Sequence, residues 1–327
     1  MSGLGEFDLI DALAARLDPP DEGLGIGDDA ATWRPGAGSV VVATTDMLVE
    51  GIHFRLDWTS PRDLGWKALA VSLSDLAAMG ARPGRGLVSV ALLPGQAELV
   101  EELYEGMTEL ARLTGTRIVG GDTVRSPGPL VINVALLGEA DPDRLLRRDG
   151  ARPGDLLALT GAVGASAAGL DLLVRDDRES LARPEAGPLL AAHHRPKPQL
   201  AAGGALAALG LRCAIDVSDG VASEAWHLAR ASHIAIEIDV DRLPLAPEAV
   251  SLLGEERARR LALSGGEDYQ LLFAVPETRL ADLAAALRDG GPPIVVGRVT
   301  GERPGGDVVL LESGRPVQLA QAGYVAF

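Results

Sequence analysis

The chain has 327 residues, enough for about two domains that each bury a core of their own. Forty-six acidic against 30 basic side chains leave a formal charge of −16, and aromatic residues make up 3%; a nucleic-acid partner, which calls for a basic footprint and stacking platforms, is excluded. The single cysteine, Cys213, rules out an internal disulfide framework and a cysteine-based zinc site but leaves an oxygen-ligated hard cation open.

In chain order, Phe7, Ile10, Leu13 and Leu17 share a helical face that Pro19 and Pro20 stop. A glycine-rich loop follows at Gly23–Asp29. Residues 39–45 read as a buried strand ending at Asp46, and 61–79 as a helix with proline in its first turn and Gly80 at its end. A strand at 86–93 precedes an amphipathic helix at 97–113 with Leu99, Leu103, Met107 and Leu110 on one face. Further strands are expected at 116–119 and 130–137. The Pro-, Gly- and charge-rich segment 141–155 marks a boundary near residue 145, dividing the chain into domains at 1–145 and 146–327. The second half reads as a strand at 156–160, a helix at 162–174, an extended His193–Pro198 connection, a strand at 213–217 entering Ser218-Asp219-Gly220, and a helix to Ser232. Strands at 234–240, 270–275, 293–296 and 308–311 alternate with helices around 247–263 and 277–288. Mixed strands and helices in both halves give an α/β (α+β) class with two domains. The acidic first residues are unlike a targeting peptide, and no uninterrupted run of 18 apolar residues reads as a membrane span, so a cytoplasmic location is expected.

Aspartate recurs after small residues, at expected strand ends and loop starts: Gly27-Asp28-Asp29, Thr44-Thr45-Asp46, Ser72-Leu73-Ser74-Asp75, Gly120-Gly121-Asp122, Asp216-Val217-Ser218-Asp219 and Ser264-Gly265-Gly266-Glu267-Asp268. Small residues permit close backbone approach, and Asp supplies the short oxygen ligand that Mg²⁺ takes together with substrate phosphates. Each motif alone is also an ordinary turn or cap; the set is what points to a cation site at the ends of strands. A P-loop, a dinucleotide fingerprint, a nucleophile elbow, a zinc-protease helix and the kinase H-R-D and D-F-G motifs are all missing.

The stretches Gly5–Ile10 (GEFDLI), Gly25–Ala31 (GIGDDAA), Thr44–Phe54 (TTDMLVEGIHF), Trp66–Pro83 (WKALAVSLSDLAAMGARP), Val119–Ser126 (VGGDTVRS), Arg147–Asp155 (RRDGARPGD), Ala214–Gly220 (AIDVSDG) and Ser264–Phe273 (SGGEDYQLLF) together resemble the thiamine-monophosphate kinase family, within the superfamily of aminoimidazole ribonucleotide synthetase. The resemblance spans nearly the whole chain. It implies the two-domain synthetase-like fold, a homodimer whose N-terminal domains pair through a shared β-structure, and transfer of the γ-phosphoryl group of ATP onto thiamine phosphate with several Mg²⁺ ions. By position it assigns metal binding to Asp29, Thr44, Thr45, Asp46, Asp75, Asp122, Asp216 and Asp219. Nucleotide contacts fall on Gly121, Arg148, Ser218 and Tyr104, and thiamine phosphate contacts on His53, Glu267 and Tyr324. Asp28 and Asp268 adjoin these. Ser72 stands where family members often carry Asn, Gln270 where Glu is common, and the chain ends Gly323-Tyr324-Val325-Ala326-Phe327 without the family's Asp-His.

No catalytic base is expected. A phosphate monoester with a second pKa near 6 is mostly an anionic nucleophile at pH 7, and metals with Arg148 would offset the repulsion between two anions. Outside the family context His53 reads as structural, Tyr104 as packing in its amphipathic helix, and Ser218 as a helix cap. The alternatives are another ATP-dependent synthetase of the superfamily and a non-catalytic nucleotide- or metal-binding regulator. The first would want a Cys or selenocysteine together with a Lys early in the chain, or a C-terminal Cys, and the second would have lost ligand aspartates.

Overall fold

The computed structural model describes residues 33–287 and 291–318, together with residues 13, 16, 17 and 31. The expected N-terminal helix (apart from those three positions), the glycine-rich loop with Asp28 and Asp29, and Tyr324 lie outside the described residues. The chain separates into two compact units, one of residues up to Leu76 and Arg82–Pro142, the other of Ala77–Ala81 and the chain from Asp143 onward.

The first unit is a four-stranded sheet of β1 (Val40–Val49), β2 (Arg82–Leu92), β3 (Arg117–Arg125) and β4 (Val131–Ala140), ordered β1-β4-β2-β3. Only β2 and β3 run parallel. Helices α1 (Pro61–Ala78) and α2 (Ala97–Thr114) belong to the same part of the chain. Along α2, Val100, Leu103, Tyr104, Met107 and Leu110 are buried, the one-sided stripe expected of a helix packed on a core. Glycines set how closely α1 and α2 approach. A Cβ on Gly65 would lie 1.8 Å from the Leu103 carbonyl oxygen, and one on Gly106 would lie 1.7 Å from that of Arg62.

In the second unit, seven strands are ordered β11-β10-β7-β9-β5-β8-β6: β5 (Leu156–Leu159), β6 (Cys213–Asp216), β7 (Ile234–Asp239), β8 (Leu271–Val275), β9 (Ile294–Glu302), β10 (Asp307–Glu312) and β11 (Arg315–Val317). The pairings are antiparallel except β7 with β10. Its helices are α3 (Ala165–Val174), α4 (Arg178–Leu181), α5 (Ala186–His194), α6 (Leu200–Ala208), α7 (Val221–Ser232), α8 (Pro247–Leu253), α9 (Glu255–Ser264) and α10 (Leu280–Ala286). Leu157, Leu159, Ile215 and Leu272 face a core that includes Ala225 and Leu228 of α7. The alternate residues Ala158, Ala214 and Phe273 face Leu206 of α6 and Leu283 of α10. Helices on both faces explain why these central strands read as continuous apolar runs and not as alternating ones.

Several expectations change. The strand expected to stop at Asp46 continues to Val49, because β1 stays in register with β4 down to Val49↔Val131. Asp46 is therefore mid-strand, Asp122 is mid-strand in β3, and Asp75 lies within α1; of the aspartate motifs, the one at Asp216 does close a strand. The single helix expected around 247–263 breaks at Gly254, whose φ of 80° and ψ of 156° end α8 and open α9 on two glutamates. His193 and His194 close helix α5, and the extended run begins only at Arg195, the first residue barred from helix by a following proline. Helices α5 and α6 had no sequence signal: their Ala-, Gly- and Leu-rich segments (for α6, LAAGGALAA) lack a polar face that would reveal a period.

Candidate functional site

The first unit gathers three expected ligands. Residues 42, 44, 46 and 48 of β1 turn to the less exposed face, as the two-residue period of a strand requires. Thr44 and Asp46 therefore project together toward α1. The Thr44 hydroxyl donates to Asp75 Oδ2, and the fully buried Ser72 donates to Asp46 Oδ2 at 2.8 Å. Burial, followed by the charge of Asp75, pushes the Asp46 carboxyl up to about 6 despite the Ser72 bond. Ser72, which departs from the family's usual Asn, thus keeps a donor on Asp46.

Two other expected ligands point elsewhere. The Thr45 side chain lies on the opposite face of β1, where Asn133 Nδ2 donates to its hydroxyl at 2.9 Å. The ladder sets Asp122 level with Ser89, and Ser89 level with Asn133. Asp122 thus shares the exposed face with Thr45, not the face of Asp46 and Asp75. Gly121 next to it has no room for a side chain: a Cβ would lie 1.8 Å from the Val88 carbonyl oxygen.

His53 is held in the turn after β1. The Val49 N–H donates to His53 Nδ1 at 3.0 Å, so Nδ1 supplies the lone pair and Nε2 carries the hydrogen open to a ligand. Tyr104 is 95% removed from solvent (5% exposed) on the packed face of α2, and burial raises its hydroxyl pKa. In the described structure it is a core residue.

The second unit builds its site from two loops clasped backbone to backbone. One leaves β6 as Val217-Ser218-Asp219-Gly220; the other leads into β8 as Ser264–Gln270. Glu267 N–H donates to the Ser218 carbonyl at 2.8 Å, Tyr269 N–H to Val217 at 2.9 Å, and Val217 N–H to Gln270 at 2.8 Å. Glu267 and Tyr269 both adopt positive φ, 57° and 51°, an uncommon state for non-glycine residues that marks functional segments more often than others. Gln270, in the position of the family's Glu, accepts from Thr160 at 2.9 Å.

Around this clasp Asp216 is buried, while Ser218 and Asp219 are half-buried. Glu224, in the first turn of α7 and 2% exposed, accepts from the Asp219 N–H at 2.9 Å and from the Ser218 hydroxyl at 3.3 Å. Burial pushes its carboxyl up to about 7, with Asp216 and Asp219 adding to the rise and Arg148 opposing it. Burial also raises Asp219, and Glu267 raises it further. Arg148, itself exposed, makes its charge felt at His227 as well, whose pKa is lowered by burial and then by Arg148. Asp268 accepts from the Gly164 N–H at 2.6 Å and the Ser166 N–H at 3.3 Å, anchoring the start of α3; burial pushes its carboxyl up to about 7.

Nothing along the chain singles out Glu224 or His227. A glutamate in the first turn after a strand-to-helix loop is ordinary capping chemistry, and only burial beside two aspartates distinguishes this one. Among the described residues, no group of three or more His, Cys, Asp or Glu side chains closes around a single metal position; the structure provides carboxylate pairs.

Asp46, Glu224 and Asp268 give the protein a defined pH response. Each binds a proton more tightly folded than unfolded, so stability without metal is expected to fall as pH rises from about 4 through 7 and then to level off. Asp57 and Asp149, held down by hydrogen bonds from neighbouring arginines, act only below their ordinary range. Thermal midpoints at pH 5, 6, 7 and 8 in chelator test this; a midpoint still climbing between pH 5 and 8 would contradict it.

The two units and their acidic loops define the chain as an AIR synthase related protein. Residues 27–140 match the family described as AIR synthase related protein, N-terminal domain, and residues 152–309 match AIR synthase related protein, C-terminal domain. The thiamine-monophosphate kinase of Escherichia coli (strain K12) is 38% identical over 326 residues, 99% of this chain and 98% of the relative. A crystal structure of thiamine-monophosphate kinase from Stenotrophomonas maltophilia K279a superposes with a TM-score of 0.84 at 36% identity, covering 96% of this chain and 98% of the other. A structure of AaThiL complexed with AMPPCP and TMP follows at 0.77 and 33%, covering 100% and 98%. The chain belongs to the thiamine-monophosphate kinase family.

Proposed function

We propose that this protein is a kinase that transfers the γ-phosphoryl group of ATP to thiamine phosphate, giving thiamine diphosphate and ADP. The end-to-end similarity to thiamine-monophosphate kinases carries this reading. The chemistry asks little of the side chains as acids or bases. An anionic oxygen of the acceptor phosphate attacks the γ-phosphorus as its bond to the bridging oxygen of ADP breaks, and no proton need move.

The donors of both units suit Mg²⁺. Thr44, Asp46 and Asp75 all present oxygen donors, and the mutual repulsion of the two carboxylates is what a hard dication would relieve. Asp216 and Asp219, each beside the buried Glu224, offer further carboxylates, as does Asp29; Asp122, on the opposite face of the first unit's sheet, is a candidate for a separate ion. Bound there, Mg²⁺ would neutralise phosphate charge and orient the phosphates in line. The chain's own groups do the rest. Glu224 fixes the Ser218–Asp219 backbone, Gly121 offers its bare backbone to the nucleotide, and Arg148 adds positive charge. Within the first unit His53 offers its Nε2–H to an acceptor phosphate, and within the second Glu267 offers its carboxylate to a cationic group; Tyr324 is a further candidate contact.

The exposed face of the first unit's sheet carries Val41, Met47, Leu87 and Val124, an apolar surface that we assign to pairing with a second copy of the chain. A Met47→Lys, Val124→Lys double variant is expected to sediment as a monomer where the parent sediments as a dimer. Among the described residues no helix is long and apolar enough to cross a membrane, and we place the enzyme in the cytoplasm, where ATP and Mg²⁺ are abundant. Purified protein with ATP, Mg²⁺ and thiamine phosphate should yield thiamine diphosphate; binding of ATP without that product would sink the reading.

A further inference from the structure

We propose that His193 is a positioning residue for the acceptor site, holding the Glu267 carboxylate in the orientation that receives thiamine phosphate. The inference rests on the reading of Glu267 as an acceptor contact and adds a residue that lies outside the stretches carrying the family resemblance.

His193 is next to last in α5, and its side chain is 6% exposed. Its Nδ1 lies 3.2 Å from Glu267 Oε2 and 3.2 Å from the Ser166 hydroxyl. With a carboxylate oxygen at that distance, the tautomer we assign carries the hydrogen on Nδ1, since two opposed lone pairs would repel. Nδ1–H therefore donates toward Glu267, with Ser166 beside it. The adjacent Asp268 is bonded to backbone N–H groups of the α3 start, including that of Ser166 itself. Three elements thus meet at one imidazole: the first turn of α3, the last turn of α5 and the Ser264–Gln270 loop. Glu267 needs such support. Its backbone is in the left-handed region at φ 57°, and its side chain, 25% exposed, leaves an edge for a ligand. Thiamine phosphate presents a cationic ring and an exocyclic amine, and an oriented carboxylate recognises both. A free Glu side chain would have to surrender its rotamer freedom on binding; the His193 bond fixes it beforehand.

The test is steady-state kinetics on the full chain, with KM measured separately for thiamine phosphate and for ATP. His193→Leu removes the donor, and His193→Asn keeps an N–H near the Nδ1 position. His193→Leu is expected to raise KM for thiamine phosphate roughly 10- to 100-fold, the range for a hydrogen bond to a charged group, with KM for ATP and kcat little changed. His193→Asn should recover most of the loss. Because His193 acts through Glu267, adding His193→Leu to Glu267→Gln should cost little beyond Glu267→Gln alone.

A residue that merely packs would behave otherwise. Equal increases in both KM values, or losses that multiply in the double variant, would overturn the inference. If His193→Leu fails to fold, His193→Gln, whose amide falls near Nε2 instead, should show the KM loss that His193→Asn does not; equal behaviour of the two overturns it as well. If Glu267→Gln alone leaves KM for thiamine phosphate unchanged, the acceptor reading of Glu267 falls and takes the inference with it. A loss in Glu267→Gln without one in His193→Leu removes the inference alone.

Discussion

Asp46→Asn is expected to reduce kcat by more than about 100-fold, beyond the loss typical of residues that only orient a metal ligand, while making the metal-free protein more resistant to heat. The two effects have one cause. Asp46 is a carboxylate pushed up to about 6 by burial and by the neighbouring charge of Asp75, so its ionised form is a cost that the folded protein carries above that pH. The amide keeps an oxygen for the Ser72 hydroxyl and removes the charge. The stabilisation should be larger at pH 8 than at pH 5, where the wild-type carboxyl is already mostly protonated in the folded state. A function held at the expense of stability is the usual signature of a binding site. Turnover against Mg²⁺ concentration and thermal scans in chelator read the two halves separately. Near-parental turnover at the parental Mg²⁺ requirement would refute the assignment of Asp46 to metal.

Gly266→Ala is expected to cost about 2–4 kcal/mol of folding stability and to lower kcat on the order of 100-fold in whatever fraction stays folded. The residue has φ +74°, and a Cβ there would lie 2.1 Å from the Ser218 carbonyl oxygen and 2.8 Å from Asp219 Cα. Both obstacles are backbone, which cannot rotate aside as a side chain would. The two loops must part, straining the Glu267-to-Ser218 hydrogen bond and with it the positions of Ser218, Asp219 and Glu267. Left-handed strain contributes about 1 kcal/mol, and overpacking about 1–3 kcal/mol more. A displacement of about 1 Å at a reacting site costs on the order of 100-fold in rate. Gly204→Ala is the control. It lies in α6 with nothing within 4 Å of its would-be Cβ, so it should stabilise by about 0.5–1 kcal/mol and leave the kinetics alone. Equal midpoints for the two variants would show that the loops are not clasped as described.

The local elements were largely legible because their signals are local. The α2 stripe at Leu103, Met107 and Leu110, the proline at the start of α1 and the apolar strands β5, β6 and β8 follow from period and punctuation. Where the polar contrast vanishes, as in α5 and α6, nothing along the chain betrays the helix. The end of β1 is not legible at Asp46 because a strand ends where its partner stops, and the distant strand β4 is what carries β1 on to Val49.

By itself the sequence determined the two-domain mixed class, the acidic motifs and the family, since these depend on residue order and on chemistry carried in short stretches. Tertiary structure alone decided how those residues are distributed. The pleat sends Asp46 and Thr45 to opposite faces of one strand; the pairing of β2 with β3 and β4 puts Asp122 with Thr45; burial beside two aspartates singles out Glu224; and the packing of α5 against the Ser264–Gln270 loop brings His193 to Glu267. The physical reason is common to all four. Orientation, desolvation and contact between distant segments are properties of the packed sheet and its helices, and the spacing of residues along the chain does not encode them.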